Sequence, residues 1–344
     1  MNRTQRPPNH TLQHSTSAPH GPPEPEAKAV VSVVIPLKNK AAFVGQCLLS
    51  VVEAAARAGR VEVIVVDNGS TDGSLELARA AAPVIRTEVH TGRSIGGVRN
   101  QGALLAEGTI LCFLDADVVV PEDYFIRIRR VFAQPWIKVA GCHVALPTDR
   151  TWIERTWFML HDRGVSGFRP YINSGNVAFR ADFFHALGGF REDLPTGEDA
   201  ELGARVVNAG AENVEVADLQ VLHLDNSTSV WGFFKKEVWH AQGMLATATL
   251  KPVDRPLLLT LCHAGTVACL VAAALVWRWS LLQSLILMSV VALWIPALSV
   301  GYRYVLARSA PPLLSSVVLY EVYYLARLGG LTRSLLPRWL GGRW

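Results

Sequence analysis

Hydrophobic residues from position 30 to 114 alternate between short β-branched runs and stretches with helical spacing. Helical periodicity follows the first run and recurs at Leu75–Ala81 and Val98–Ala106. The first strand is expected to end at Pro36. Repeated strand–helix units predict an α/β fold with a mainly parallel, Rossmann-like sheet covered by helices on both faces. The predicted strands are Val30–Ile35, Val61–Val66, Val84–Arg86 and Thr109–Leu114.

Two long apolar segments follow this α/β region. Leu257–Trp277 has 21 residues and Leu281–Val300 has 20, each near the roughly 20 that cross the hydrocarbon core of a bilayer. Arg278 is the only Asp, Glu, Lys or Arg within or between them, and tryptophans flank it as at a membrane interface. The pattern predicts a transmembrane helical hairpin over residues 251–300. A buried helical pair of a soluble domain is the alternative.

Basic residues on both sides of the hairpin indicate its orientation. The positive-inside rule places residues 1–255 and the C-terminus in the cytosol, so the protein is expected in the cytoplasmic membrane as a multi-pass chain. Residues 301–344 are predicted to form a basic cytosolic or interfacial tail. Within it, Glu321 interrupts the apolar segment Leu313–Leu328, for which we expect a helix in the membrane interface.

Composition adds further limits. Apolar residues make up 50% of the chain and charged residues 18%, which excludes wholesale disorder. The net charge is only +4, and the six arginines after Val300 carry the excess, so no nucleic-acid partner is expected. Five scattered cysteines without a CxxC pair suit buried thiols in a reducing compartment. Residues 1–29 hold six prolines and no apolar stretch, which predicts a disordered tail rather than a signal peptide.

Three aspartates are predicted to follow strands directly. Asp67 ends the second strand, and Asp115 and Asp117 end the fourth, so all three belong on the rim of the sheet where such folds bind ligands. After Asp117 three valines lead to a helix expected to begin at Pro121. Two acids at this spacing suit a hard divalent cation. A lone D-x-D pair is also common in solvated loops, and the EF-hand pattern is absent here.

Seven motifs follow one another in order along residues 30–245. They are VSVVIPLKN (Val31–Asn39), VIVVDNGSTDGS (Val63–Ser74), GVRNQG (Gly97–Gly102), FLDAD (Phe113–Asp117), NSGNVAF (Asn173–Phe179), GGF (Gly188–Phe190) and GEDAEL (Gly197–Leu202). This ordered set resembles family 2 glycosyltransferases. The resemblance implies a sheet of the glycosyltransferase A type, a nucleotide-diphospho-sugar donor, inverting transfer, and Mn²⁺ or Mg²⁺ as cofactor. The Q-x-x-R-W sequence of processive synthases is absent, so transfer of a single sugar is expected rather than polymerisation.

On the donor side, the resemblance implies four binding residues. Asp67 matches the acid that contacts the uracil or ribose, and Asp115 the acid near the ribose and the transferred sugar. The backbone around Pro36 would contact the nucleotide. Arg99 holds the arginine position of the family's A-R-N motif, although Val98 replaces the usual alanine. A UDP-sugar is the favoured donor.

The resemblance also implies two residues at the metal and one general base. Asp117 matches the metal ligand, and His223 the histidine near the metal and the diphosphate. Asp199 matches the general base that removes the acceptor proton. From the residues alone, alternatives stay open. Asp199 and Glu198 also suit the first turn of a helix, and His223 could be an ordinary hydrogen-bonded histidine.

The predicted function is a membrane-anchored glycosyltransferase in cell-envelope polysaccharide or glycolipid synthesis. Its acceptor is expected to be lipid-linked or a glycan, because the aromatic and lysine residues of Trp231–Trp239 suit contact with membrane lipids. A dehydrogenase is disfavoured because no G-x-G-x-x-G turn follows the first strand, and an NTPase because Gly92–Gly97 lacks a P-loop lysine. A non-catalytic, membrane-bound sugar-nucleotide-binding protein is the alternative.

Overall fold

A computed structural model describes residues 31–142, 144–161, 168–169, 172–248, 254–276, 282–283, 293–306 and 311–335. The predicted tail of residues 1–29 lies outside the described residues and stays a prediction. Half of the second predicted span, Leu281–Val300, lies outside them as well.

Strands and helices alternate through the first part of the chain, as the hydrophobic pattern predicts. Buried Val, Ile and Leu side chains fill both faces of the central strands, which is typical of a parallel sheet covered by helices. The elements are β1 (Val31–Leu37), α1 (Val44–Ala58), β2 (Val61–Asp67), α2 (Ser74–Ala81), β3 (Ile85–Val89), α3 (Ile95–Leu105), β4 (Ile110–Leu114), β5 (Val118–Val119) and α4 (Tyr124–Phe132).

The remaining elements include shorter strands and a group of C-terminal helices. They are β6 (Val139–Gly141), α5 (Trp152–His161), β7 (Phe168–Arg169), β8 (Asn176–Arg180), α6 (Ala181–Ala186), α7 (Glu198–Asn208), β9 (Asn213–Glu215), the 3₁₀ turn Ala217–Leu219, β10 (Leu222–His223), α8 (Val230–Ala241), α9 (Met244–Thr247), α10 (Arg255–Val276), α11 (Trp294–Leu306) and α12 (Leu313–Leu335).

Four predicted boundaries are wrong. β1 continues through Pro36 to Leu37 in its pairing with β2. Its pairing with β4 stops at Val34, so the N–H that proline lacks removes no hydrogen bond to β4. Helix α3 begins at Ile95, where the Ser94 side chain caps it by accepting the Gly97 N–H. The third strand runs as β3, further than predicted. Helix α4 begins three residues after Pro121, and two of the valines before that proline form β5.

The main sheet has eight strands in the order β3-β2-β1-β4-β8-β6-β9-β7. β1 pairs in parallel with β2 and β4, β2 with β3, and β6 with β9. β8 runs antiparallel between β4 and β6, and β7 runs antiparallel to β9. The mostly parallel sheet predicted from the strand–helix alternation is thereby confirmed. The carboxyl ends of β1, β2 and β4 meet at one rim.

Helices cover both faces of this sheet. On one face, α1, α2 and α4 pack on β1, β2 and β4 around a large apolar core. On the other, α3, α6 and α7 pack around four phenylalanines in edge-to-face or tilted contact, Phe113, Phe179, Phe184 and Phe190. Gly102 lets α3 approach β1 closely, since a Cβ at that position would lie 2.3 Å from a methyl of Val34. This approach brings α3 directly beneath the rim.

The C-terminal helices pack on the α/β region and on one another. Helix α12 lies along α8, where Arg327 donates two hydrogen bonds to Glu237 Oε2 at 2.7 and 3.0 Å. Its tyrosines share a core with Phe233 of α8, with residues of α5 and with Val300 of α11. The segment predicted as an interfacial helix is thus part of a longer helix docked on α8. The division of the chain into a catalytic domain (residues 30–250), a hairpin (251–300) and a tail (301–344) stays a prediction.

Within the described residues, one helix is long and apolar enough to cross a membrane, at Arg255–Leu275. It coincides with the first predicted span, and only 11% of its most apolar 18-residue window is buried. The described part of the second predicted span belongs to α11, which continues beyond Val300 to Leu306. Of the predicted transmembrane hairpin, the described residues therefore support one helix, and they do not support a multi-pass topology.

Candidate functional site

The rim beyond β1 and β2 is closed by two loops bonded to each other. Asp67 is buried and accepts hydrogen bonds from the N–H groups of Gly69 and Ser70 at 2.8 and 3.0 Å, which turns the chain sharply after β2. From the β1 loop, Lys38 donates to the carbonyl of Asn68 at 2.6 Å. Pro36 lies half-buried in β1 beside Val66. These contacts form the wall of the rim on the β1–β2 side.

Asp115 and Asp117 follow β4, and a short strand pair brings His223 to them. β5 begins directly after Asp117 and pairs antiparallel with β10, with Val118 opposite His223. His223 Nε2 lies 3.5 Å from Asp117 Oδ1, and ligand atoms of Asp115, Asp117 and His223 all lie within 4.8 Å of one another. The two predicted metal-side residues and one predicted donor-side residue therefore converge at one point.

A hydrogen bond to Asn226 orients the His223 ring so that Nε2 faces Asp117. Asn226 donates its Nδ2–H to the His223 carbonyl at 2.9 Å, which orients its Oδ1 toward His223 Nδ1 at 3.1 Å. Because Oδ1 can only accept, Nδ1 donates this hydrogen bond, and Nε2 is the ring nitrogen on the side of Asp117. A histidine held by such a hydrogen bond is the usual arrangement at metal sites.

Arg99 lies beneath the two aspartates and is 1% exposed. Its Nη2 donates to Asp115 Oδ1 and its Nη1 to Glu198 Oε1, both at 2.7 Å. Burial alone lowers the pKa of Arg99, but the carboxylates of Asp115, Glu198 and Asp199 outweigh it and raise the pKa above its usual value. Arg99 therefore remains charged and connects α3, the β4 end and α7.

Asp199 lies half-buried in the first turn of α7, next to Glu198. Its Oδ1 accepts the N–H of Ala200 at 2.7 Å, and its charge acts on Arg99. The preceding Gly197 has φ +83°, a left-handed conformation that glycine adopts without strain. After this turn the start of α7 reaches Arg99 through Glu198.

Asp115 is held from a third direction by the Asn173–Asn176 turn. Its N–H donates to the Gly175 carbonyl at 3.2 Å, and a Cβ at Gly175 would lie 2.4 Å from Asp115 Oδ2. Burial by itself raises the pKa of Asp115, but Arg99, His223 and Lys40 outweigh it and hold the pKa below its usual range. Asp115 is therefore ionised at neutral pH.

Of the predicted site residues, Asp115, Asp117, His223 and Arg99 form one connected cluster, with Asp199 beside it. Asp67 and Pro36 share the rim but not the cluster. Asp67 ends a strand two positions from β4, about 10 Å away at the usual strand spacing. The individual roles assigned to these residues stay predictions.

Three residues of the cluster are not among the predicted site residues. Lys40 bonds Asp117 and Asp225, which lie 77 and 185 positions away along the chain. Glu198 is the buried partner of Arg99, not only an acid at a helix start. Glu198 lies inside the GEDAEL motif, which could have indicated it, but no local pattern identifies Lys40 or Asp225.

The charges and ligand atoms of this cluster fit a divalent cation. Asp117 is 3% exposed, and its Oδ1 has no hydrogen-bond partner among the described residues. Lys40 pairs with the other oxygen, Oδ2, and a second positive partner would stabilise the buried Oδ1. Among the described residues, five carboxyl groups gather around the basic side chains of Arg99 and Lys40, a set of acids that a divalent cation would complement. The carboxylates are Asp115, Asp117, Glu198, Asp199 and Asp225.

Family models match this chain across the region that holds the site. A model described as glycosyl transferase family 2 matches residues 32–187. A second, described as glycosyl transferase family group 2, matches residues 110–306, more than half of the chain. The chain belongs to glycosyl transferase family group 2. The family predicted from the ordered motifs, and glycosyltransferase as the enzyme class, are thereby confirmed.

Curated relatives in this family come from several organisms. The glycosyltransferase AglE of Haloferax volcanii is 29% identical over 189 residues, which cover 52% of this chain and 62% of that protein. A validoxylamine A glucosyltransferase of Streptomyces hygroscopicus subsp. jinggangensis is 31% identical over 52% of this chain and 51% of its own length. A PGL/p-HBAD biosynthesis glycosyltransferase of Mycobacterium tuberculosis is 39% identical over 37% of this chain and 51% of its own. The chain thus spans about half to three-fifths of these relatives.

A solved structure shares the fold over almost the whole chain. It is the mannosyltransferase PcManGT from Pyrobaculum calidifontis in complex with GDP-Man and Mn²⁺, with a TM-score of 0.57 and 16% identity. The match covers 94% of this chain and 92% of that one. The glycosyltransferase A-type fold predicted for the α/β region is confirmed by this likeness.

Proposed function

We propose that this chain is a membrane-anchored, inverting glycosyltransferase that moves one sugar from a nucleotide-diphospho-sugar to a hydroxyl or phosphate of a membrane-associated acceptor. The observation that carries the proposal is the Asp115–Asp117–His223 cluster at the carboxyl rim, with a buried oxygen of Asp117 that none of the described residues hydrogen-bonds. In α/β sheets of this kind, ligands bind beyond the carboxyl ends of the strands.

Donor binding would use both parts of the rim. Asp67 and the β1 segment at Pro36 lie where the nucleotide would bind, about two strand spacings from the cluster. Asp115, held by Arg99, lies between that region and the α7 turn, where the transferred sugar belongs. Asp117 and His223 would hold Mn²⁺ or Mg²⁺, which when bound supplies Lewis-acid stabilisation of the diphosphate. A UDP-sugar is favoured, and the GDP-Man complex of the similar mannosyltransferase makes GDP-sugars the second class to test.

Transfer would proceed by a single displacement. The acceptor oxygen forms a bond to the anomeric carbon, the bond from that carbon to the phosphate oxygen breaks, and the nucleoside diphosphate leaves with the electron pair. Asp199 takes the proton of the acceptor hydroxyl, a role that typically contributes 10²–10⁴-fold in rate. Because no covalent sugar–enzyme intermediate forms, the anomeric configuration inverts. Arg99 keeps Asp115 and the start of α7 in fixed relation during this step.

Membrane anchoring is supported by the exposed apolar side chains of α10. A helix of this length and composition with so few buried residues does not resemble the core helix of a soluble domain. On α8, Trp231 is 64% exposed and stacks on Phe234, beside the exposed Lys235 and Lys236. Tryptophan and lysine in this arrangement suit the headgroup region of a bilayer. We place the catalytic region on the cytosolic side and the acceptor near the lipid headgroups.

The proposal is tested with the full chain purified in detergent. Mn²⁺ binding is measured by electron paramagnetic resonance, and donor cleavage and transfer with a panel of UDP- and GDP-sugars and lipid-phosphate acceptors. Asp117→Asn should lose Mn²⁺ binding and metal-dependent donor affinity. Asp199→Ala should keep both and lose transfer by at least a hundredfold.

The matched control is Asp123→Asn, since the Asp123 side chain is about half exposed and its ion pair among the described residues is with Arg127 of the helix that follows it. It should bind Mn²⁺ and turn over as the unmodified protein does. Retention of Mn²⁺ binding in Asp117→Asn would contradict the metal assignment. Donor binding without turnover toward any acceptor would favour the non-catalytic sugar-nucleotide-binding alternative.

A further inference from the structure

The ammonium group of Lys40 lies where a bound cation would contact this acidic cluster. Its ammonium lies 2.5 Å from Asp117 Oδ2 and 2.5 Å from Asp225 Oδ2, so it bridges two acids that no other described contact joins. Burial alone lowers the pKa of Lys40, but the two carboxylates outweigh it and raise the pKa above its usual value. The bridge is therefore an ion pair on both sides.

The backbone of Lys40 is fixed, whereas its side chain lies at an accessible edge. The Lys40 N–H donates to Ser74 Oγ at 2.7 Å, and its carbonyl accepts the N–H groups of Phe43 and Val44, both at 2.9 Å. The side chain is 28% exposed, and its second partner Asp225 is 43% exposed. A flexible four-carbon side chain on a fixed backbone can exchange partners without moving the loop.

The two oxygens of Asp117 have different surroundings. Oδ2 is neutralised by Lys40, while Oδ1 faces His223 Nε2 without a hydrogen bond. A divalent cation held at Oδ1 would share a carboxylate with the ammonium, and two like charges on one carboxylate repel each other. Metal binding therefore weakens the ion pair between Asp117 and Lys40.

The released ammonium group would then bind the diphosphate of the donor. It brings negative charge to the same rim, and lysine binds phosphate oxygens as a point charge. Building on the proposed function, we propose that Lys40 is a ligand of the donor diphosphate, held in the site by Asp117 and Asp225 until the divalent cation binds. It neutralises the acidic cluster before the cation binds and the leaving diphosphate afterwards.

The test separates metal binding from nucleotide binding in the full chain in detergent. Mn²⁺ affinity is measured by electron paramagnetic resonance without nucleotide, and UDP and GDP affinity by calorimetry at saturating Mn²⁺. Lys40→Met should bind Mn²⁺ about threefold to tenfold more tightly, because an internal competitor is removed. It should bind the preferred nucleoside diphosphate at least tenfold more weakly, the loss expected for one charge-assisted hydrogen bond. Lys235→Met, an exposed lysine on α8, should change neither affinity.

A second variant keeps the proposal testable if Lys40→Met does not fold. Asp225→Asn removes the exposed anchor of Lys40 and should tighten nucleoside diphosphate binding several-fold; in the Lys40→Met background this gain should vanish. Unchanged or weaker nucleotide binding in Asp225→Asn, or unchanged nucleotide binding in Lys40→Met, overturns the role of Lys40. Loss of Mn²⁺ in Asp117→Asn with no effect of Lys40→Met overturns this inference alone. Retained Mn²⁺ in Asp117→Asn overturns the proposed function itself.

Discussion

Replacing Arg99 by methionine tests whether the cluster depends on one buried cation. The guanidinium is almost fully buried and donates to Glu198 and Asp115 at 2.7 Å each. Methionine fills a similar volume without charge, so the substitution removes both ion pairs and little packing. The Glu198 carboxylate, 6% exposed, is then left buried without a counter-charge.

The magnitude follows from the different burial of the two acids. Breaking a buried ion pair by removing one partner typically destabilises a protein by about 3–5 kcal/mol, because the remaining charge is uncompensated. Asp115 is about one-third exposed, so its pair adds much less. We expect Arg99→Met to lower the free energy of unfolding by about 3–4 kcal/mol. For a region of this size, that corresponds to a melting temperature lower by about 10 °C.

The assay is thermal unfolding followed by circular dichroism in detergent, with Arg86→Met as the control. Arg86 pairs with Glu88 on the surface, at 3.2 Å with both side chains more than 40% exposed, and its loss should cost less than about 1 kcal/mol. The double variant Arg99→Met/Glu198→Gln should recover part of the loss, since it removes the uncompensated charge. A melting temperature for Arg99→Met within 2 °C of the unmodified protein would refute the reasoning. Strict additivity in the double variant would refute it as well.

Three further changes test other parts of the site. Gly175→Ala should weaken Mn²⁺ binding about tenfold or more, as measured by electron paramagnetic resonance, because the new Cβ would lie 2.4 Å from Asp115 Oδ2; unchanged binding would contradict the contact. Gly243→Ala should lower kcat while leaving donor Kd unchanged, because its Cβ would lie 1.9 Å from the Thr196 carbonyl and displace the start of α7; a weaker donor Kd alone would point to a different effect. Burial lowers the pKa of His240 from 6.5 to about 4, so the neutral ring stabilises the fold above pH 6.5, and that contribution is lost as the pH falls toward 4. His240→Gln should remove this part of the pH dependence, at most about 3 kcal/mol in a denaturation series from pH 7 to 4, and an unaltered slope would contradict the assignment.

The local pattern of the sequence determined the first half of the fold and the position of the acids. Short β-branched runs predict the strands and a period of 3.6 residues predicts the helices, and both signals depend only on near neighbours in the chain. For the same reason Asp67, Asp115 and Asp117 could be placed at strand ends, and the ordered motifs identified the family. The errors lie at boundaries such as Pro36 and Ile95, where a neighbouring strand or a cap decides the last residues of an element.

Tertiary structure alone decided which charges meet. His223 reaches Asp117 because β10 pairs with β5, and Lys40 reaches the same carboxylate from a loop 77 residues earlier. Glu198 meets Arg99 across 99 positions of sequence. Such partners follow from the order of strands in the sheet and from how closely α3 and α7 pack on it. No residue's immediate neighbours encode that order, because it is set by burying the apolar faces of the whole chain together.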